Sequence, residues 1–233
     1  MSRPISSQPE GAARLFPARG EAPRDGEELA RVLKATAPTG GDPIWQEIFP
    51  RLLAIGLIEA REEETNLTST LGLDASDLRK AIAAHAPHPL ALLAADRASV
   101  AIRDDEEQMV FDLLLSHGVD SSPETRWLAA MVARRAMQPN HLWQDLGLAD
   151  RSWLNALLAR YFPAMHAGNT SDMKWKKYFY RRLCEAEGFS LCTAPSCREC
   201  SDFDRCFGAE DGESLLAQRR RATELMSDIL HLS

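Results

Sequence analysis

Four cysteines fall within fifteen residues near the end of this 233-residue chain, Cys192, Cys197, Cys200 and Cys206, in the spacing C-x4-C-x2-C-x5-C. Thiolates so close in sequence can converge on one centre, and the residues between them (Pro195, Ser196, Ser201, Asp202, Asp204) are turn formers that need neither helix nor strand. The segment from 184 to 207 therefore reads as an irregular loop wrapped around a metal centre, with sulfur facing inward and polar side chains facing water. A fifth cysteine, Cys184, lies upstream in YFYRRLCEAEG, a helical pattern in which a lone cysteine is ordinarily a small buried hydrophobe.

Three chemistries compete for four thiolates. Disulfides need an oxidising compartment; the opening MSRPISSQPEGAARLFPARG has no apolar signal region and the cysteine count is odd, so the chain reads as cytoplasmic with reduced thiols. Structural zinc usually takes two C-x2-C knuckles with a longer insert, whereas this run has one C-x2-C closely flanked on both sides. Its first three cysteines repeat the C-x4-C-x2-C run by which plant-type ferredoxins hold an iron–sulfur cluster. Spacing and ligand softness favour iron and sulfur over zinc.

The remainder of the chain sets the scaffold. Apolar residues recur every three or four positions and β-branched residues are few, so an all-α fold is expected, a helical bundle carrying the C-terminal cysteine loop. Helices are expected at about 26–37, 43–60, 75–85, 89–96, 104–116, 123–137, 141–146, 151–162, 171–186 and 211–230. Residues 1–25, rich in proline, glycine and arginine, read as a disordered tail, leaving 26–233 as a single helical domain. Ser122 before Pro123 and Asp150 before Trp153 mark helix starts, and the run Asp104, Asp105, Glu106, Glu107 reads as a capping device. His85 and His88, split by Pro87, read as surface punctuation.

Two stretches resemble each other, LTSTLGLDASDLRKAIAAHAP (67–87) and LWQDLGLADRSWLNALLARYFP (142–163). Each reads as a short helix, a Leu-Gly-Leu turn, an acidic cap and a longer helix, by duplication or by chance. A net charge of −7 and few basic residues on these helices argue against nucleic acid as a partner, and no run of eighteen apolar residues argues for a membrane. Hydrolase, P-loop and dinucleotide signatures are absent, so the sequence makes a weak case for an enzyme.

Cations crowd the stretch that leads into the cysteines: Lys174, Lys176, Lys177, Arg181 and Arg182. At 3.6 residues per turn Lys174, Lys177 and Arg181 share one face, while Trp175, Tyr178 and Phe179 pack inward. Such a face is either a solvated helix surface or an anion-capturing one. His141 and Asp145, four apart, read as a mutual pair or cap, with His141 a weaker candidate metal ligand.

In chain order, PNHLWQDLGL from Pro139, YFP at 161–163, MKWKKYFYRRLC from Met173 and the cysteine run resemble the NifQ family of nitrogen-fixation proteins, over about residues 100–208. The resemblance implies an iron–sulfur protein that binds molybdenum and donates it for assembly of the nitrogenase iron–molybdenum cofactor. It implies Cys192, Cys197, Cys200 and Cys206 as cluster ligands, molybdate as the incoming species and a cofactor-assembly scaffold as partner. Molybdate is a dianion, for which Lys174, Lys177 and Arg181 are the candidate binding cations. Two other functions share the features. A helical DNA-repair glycosylase holds a structural [4Fe–4S] cluster in C-x6-C-x2-C-x5-C, but its first gap is longer and no Leu-Pro-Gly-Val-Gly-like hairpin occurs here. A small electron-transfer protein would keep its metals and change only in charge.

Overall fold

The computed structural model describes residues 26–96 and 101–186. Among them the regular structure is entirely helical, in eleven elements: α1 (Gly26–Lys34), α2 (Pro43–Glu62), α3 (Leu67–Leu71), α4 (Ala75–His85), α5 (Pro89–Asp96), α6 (Asp105–Ser116), α7 (Pro123–Ala136), α8 (Leu142–Asp145), α9 (Arg151–Tyr161), α10 (Pro163–Gly168) and α11 (Trp175–Ala186). The expected all-α class is therefore borne out for these residues. The tail at 1–25 and the helix expected at 211–230 lie outside them, as does the cysteine loop expected at 184–207 except for residues 184–186, which are helical and form the end of α11 rather than irregular loop.

Helix starts are set where the side chains dictate. Asp104, Ser122 and Asp150 each accept a hydrogen bond from a first-turn amide, of Glu107 (2.8 Å), Thr125 (3.2 Å) and Ser152 (2.7 Å) respectively. The acidic run at 104–107 is more than a cap, however. Glu107 is buried and pairs with Arg134 at 3.0 Å, and Glu106 accepts the Tyr180 hydroxyl, tying α6 to α7 and α11. Burial raises the Glu107 carboxyl above its ordinary range against the pull of Arg134 and Arg103.

The long α2 and α7 form the centre, each packed on α3 and α4, with α8 against α7 and α9 against α2. Their apolar faces supply Trp45, Ile48, Phe49, Leu52 and Ile55 on one side and Leu128, Met131 and Val132 on the other, all buried. A fully buried side chain of this size contributes about 1.5–3 kcal/mol.

The two similar stretches adopt the same local structure. α3 ends at Gly72 and α8 leads to Gly147, both glycines at φ +69°, and α4 and α9 start just after Asp74 and Asp150. Neither glycine has room for a Cβ. It would meet Arg134 Cβ at 2.8 Å from Gly72 and the Arg51 carbonyl at 3.0 Å from Gly147. Between the two turns lies Arg135, fully buried, which donates to the equivalent carbonyls of Thr70 (3.3 Å) and Asp145 (2.5 Å) and grips the Glu59 carboxylate with both terminal nitrogens. One guanidinium thus pins both Leu-Gly-Leu turns to α2.

His85 departs from the expected surface role. It ends α4 stacked on Trp45, ring centroids 4.0 Å apart, with Trp127 and Phe49 edge-on, because the α4 C-terminus turns into the aromatic layer of α2 and α7. Burial lowers its imidazole pKa below the ordinary value, outweighing Glu124 and Asp42. The folded protein then binds a proton at His85 less readily than the unfolded chain does, so stability rises with pH through the imidazole range and falls as pH drops below about 6.5. Thermal unfolding from pH 5 to 8 should show this slope, and His85→Gln should flatten it; an unchanged slope would remove His85 as its source.

Candidate functional site

α11 carries the basic stretch toward the cysteines, and its seat is built by the word Asn140–Gly147. Asp145 is 1% exposed, accepts from Asn140 Nδ2 at 3.0 Å, and pairs with Lys176. Lys176 also donates to the Gln138 carbonyl. Gln144 Oε1 accepts the His141 amide at 3.3 Å, in the manner of a capping box, and Trp143, Leu146 and Leu148 are buried. A cation held against a buried carboxylate fixes the register of α11, since breaking such a pair by removing one partner costs about 3–5 kcal/mol.

The apolar side of α11 completes the seat. Trp175, Tyr178 and Phe179 are buried as expected, and Trp175 donates to Asn155 Oδ1 at 2.7 Å across to α9. The helix begins at Trp175, later than the expected position 171, because the preceding turn has its own structure. Asn169 brackets Met173, accepting its amide at 2.9 Å and donating to its carbonyl at 2.8 Å, and Arg151 holds Asp172 at 2.9 Å. α10, hidden in the sequence by its six-residue length, supplies the other side of that turn.

A polar cleft of about 230 Å³ opens at this junction, lined by the turn Gly168–Ser171 with Met173 and by Tyr178, Arg181, Arg182 and Glu185 of α11. Glu185 accepts from Arg181 Nε at 2.9 Å and from Arg182 Nη1 at 2.8 Å. The bond from Arg181 holds the Glu185 carboxyl below its ordinary range. Burial raises the phenol of Tyr178. Its hydroxyl lies so close to Gly168 that a Cβ there would sit 2.3 Å from it, so the turn approaches α11 only because position 168 has no side chain.

Of the candidate cations, Arg181 lines the cleft, while Lys174, half-buried just ahead of α11, and Lys177, exposed, are not among its lining residues. Arg182 and Glu185, which the helical-face argument did not single out, are. Cys184 is half-buried on α11. Cys192, Cys197, Cys200 and Cys206 lie outside the described residues; Cys192 follows Ala186, the last residue of α11, by six positions. No cluster of three His, Cys, Asp or Glu side chains suited to a metal ion occurs among the described residues, and no described helix is long and apolar enough to cross a membrane.

The described residues define an all-helical protein whose last described helix is basic and is followed in sequence, six residues on, by the first of four closely spaced cysteines. The comparisons place it more narrowly. The NifQ family model matches residues 52–208. The protein NifQ homolog of Sinorhizobium fredii is 42% identical over 170 residues, 72% of this chain and 74% of that protein. Protein NifQ of Rhodobacter capsulatus is 40% identical over 176 residues, 76% of this chain and 96% of its own length, and that of Azotobacter vinelandii 37% over 152 residues, covering 60% and 78%. No solved structure matches. The chain belongs to the NifQ family, which implies a role in nitrogen fixation.

Proposed function

We propose that this protein carries molybdenum on an iron–sulfur cluster and donates it for biosynthesis of the nitrogenase iron–molybdenum cofactor. The observation that carries the reading is the adjacency of two chemistries on one stretch of chain. α11 presents cations, and six residues past its end begins a set of four soft thiolates. Molybdenum enters as a hard oxyanion and leaves as a metal bound to sulfur, so its carrier needs both.

Cys192, Cys197, Cys200 and Cys206 would hold the cluster, and the donor set suits iron and sulfide. When bound, the cluster supplies sulfide ligands that retain a reduced metal better than protein oxygens do. The rest falls to the chain's own residues. Lys174, Lys177 and Arg181 attract the molybdate dianion and raise its concentration beside the thiolates. The Asp145–Lys176 pair and the Trp175–Asn155 bond hold α11 fixed while the segment after it exchanges metal.

Donation is separable from electron transfer by experiment. Metal-loaded protein, mixed without oxygen with the cofactor-assembly scaffold and separated by gel filtration, should lose molybdenum to the scaffold fraction. Molybdenum or iron that stays with this chain through redox cycling would instead make it an electron carrier.

A further inference from the structure

We infer that the C-terminal half of α11 is a docking surface for residues 211–230 of the same chain, which lie along α11 as α2 lies along α1 and α7 along α6. The docking needs no metal; only its consequence for the cysteines rests on the proposed function above.

The order of elements repeats well beyond the two Leu-Gly-Leu turns. α2 begins at Pro43 behind the cap Asp42, and α7 at Pro123 behind the cap Ser122. Each is followed by a helix of about one turn (α3, five residues; α8, four), the Leu-Gly-Leu turn and a helix of eleven residues (α4, α9). A short helix opened by proline comes next (α5 at Pro89, α10 at Pro163), and then a helix of twelve residues (α6, α11). The chain entering the twelve-residue helix crosses the start of the eleven-residue one both times. The Ala101 amide donates to Asp74, the N-cap of α4, at 2.9 Å, and Arg151, the first residue of α9, donates to Asp172 at 2.9 Å. α11 is therefore the counterpart of α6. α6 leads through residues 117–122 into the next long helix, α7, and packs along it, as α1 does with α2 through residues 35–42. α11 is the third helix in this position, and among the described residues no long helix follows it.

Burial differs accordingly. On α1 it runs to Leu33, next to the last residue, and on α6 to Leu114, third from the end. On α11 it stops at Phe179, and Tyr180, Leu183 and Cys184, spaced to share one side of the helix, are only half-buried. Residues 211–230 have the make-up that this position calls for. They span as many positions as α2, and Leu215, Ala222, Leu225, Met226 and Ile229 recur at helical spacing on one side, with Arg220 opposite. Belonging to the same chain, the segment meets α11 at the high effective concentration of a tether, which a second copy or a separate partner lacks. The run Cys192–Cys206 then falls in the connection between two packed helices, so the chain is anchored on both sides of the metal ligands.

The test is hydrogen exchange read by mass spectrometry on the full chain freed of iron, so that no cluster ties the segment down. Amides of residues 180–186 should be protected in the parent, and Leu225→Asp with Ile229→Asp should speed their exchange about 10-fold or more while α2 and α7 stay unchanged. Leu183→Asp, on the α11 side, should speed exchange at 215–230 by a similar factor, whereas Arg220→Gln should change neither segment. Reciprocal loss of protection is what contact between the two produces and what damage confined to α11 does not. Exchange at 180–186 that ignores the Leu225 and Ile229 substitutions would overturn the proposal. So would protection that grows with protein concentration, which would assign the surface to a second copy, or protection that appears only when the cofactor-assembly scaffold is added. Iron, sulfide and molybdenum uptake is measured separately. Reciprocal protection in a chain that retains no metal leaves the docking standing and fails the carrier reading, and metal loading without reciprocal protection does the reverse.

Discussion

Cys197→Ala or Cys200→Ala should abolish retention of iron and sulfide while leaving the far-ultraviolet circular dichroism close to that of the parent. The two halves of the expectation have different causes. The C-x2-C pair brackets the centre of the run, so losing either thiolate leaves too few soft ligands for an iron–sulfur core. The helices are expected to survive because the described residues by themselves form a contiguous apolar core from Ala30 through Phe179. Helicity that collapsed with the cluster would mean that metal binding folds the protein, as in a zinc finger.

Arg135→Met should be the most damaging single change outside the cysteines. It strands the Glu59 carboxylate, 9% exposed, and removes the donor shared by the Thr70 and Asp145 carbonyls. Breaking a buried pair from one side costs about 3–5 kcal/mol. For a chain of this size each kcal/mol shifts Tm by about 2–4 °C, so the expected fall is about 6–20 °C. Removing the stranded charge as well, in Arg135→Met with Glu59→Met, should recover much of the loss. A single variant that melts with the parent would show that the guanidinium does not bind the two turns together. Because Asp145 also seats Lys176, the same variant is expected to loosen α11, which metal loading would report as a lower yield.

Local signals were legible in the sequence and long-range pairings were not. Periodicity located most of the helices, and Ser122, Asp104 and Asp150 cap where their side chains indicated. The Leu-Gly-Leu words foretold two turns, and the structure shows why glycine stands in each, at φ +69°, where a side chain would be strained. Short helices such as α10 escaped, being too brief to show a period. His85 was misread as surface because its neighbours in sequence are small alanines and the helix-ending Pro87, while its neighbours in space are Trp45 and Trp127. The Asp145–Lys176 contact spans 31 residues, and no spacing rule reaches that far. Two of the words that carry the family resemblance, Asn140–Gly147 and Met173–Lys177, are partners in one structure through the Asp145–Lys176 pair.

Metal analysis of the protein purified without oxygen from cells supplied with molybdate tests the central claim most directly, with iron, molybdenum, zinc and acid-labile sulfide measured on one sample. Iron and sulfide together with bound molybdenum are the expected result. Zinc alone, with neither sulfide nor molybdenum, would make the cysteine run a structural clip and contradict the account.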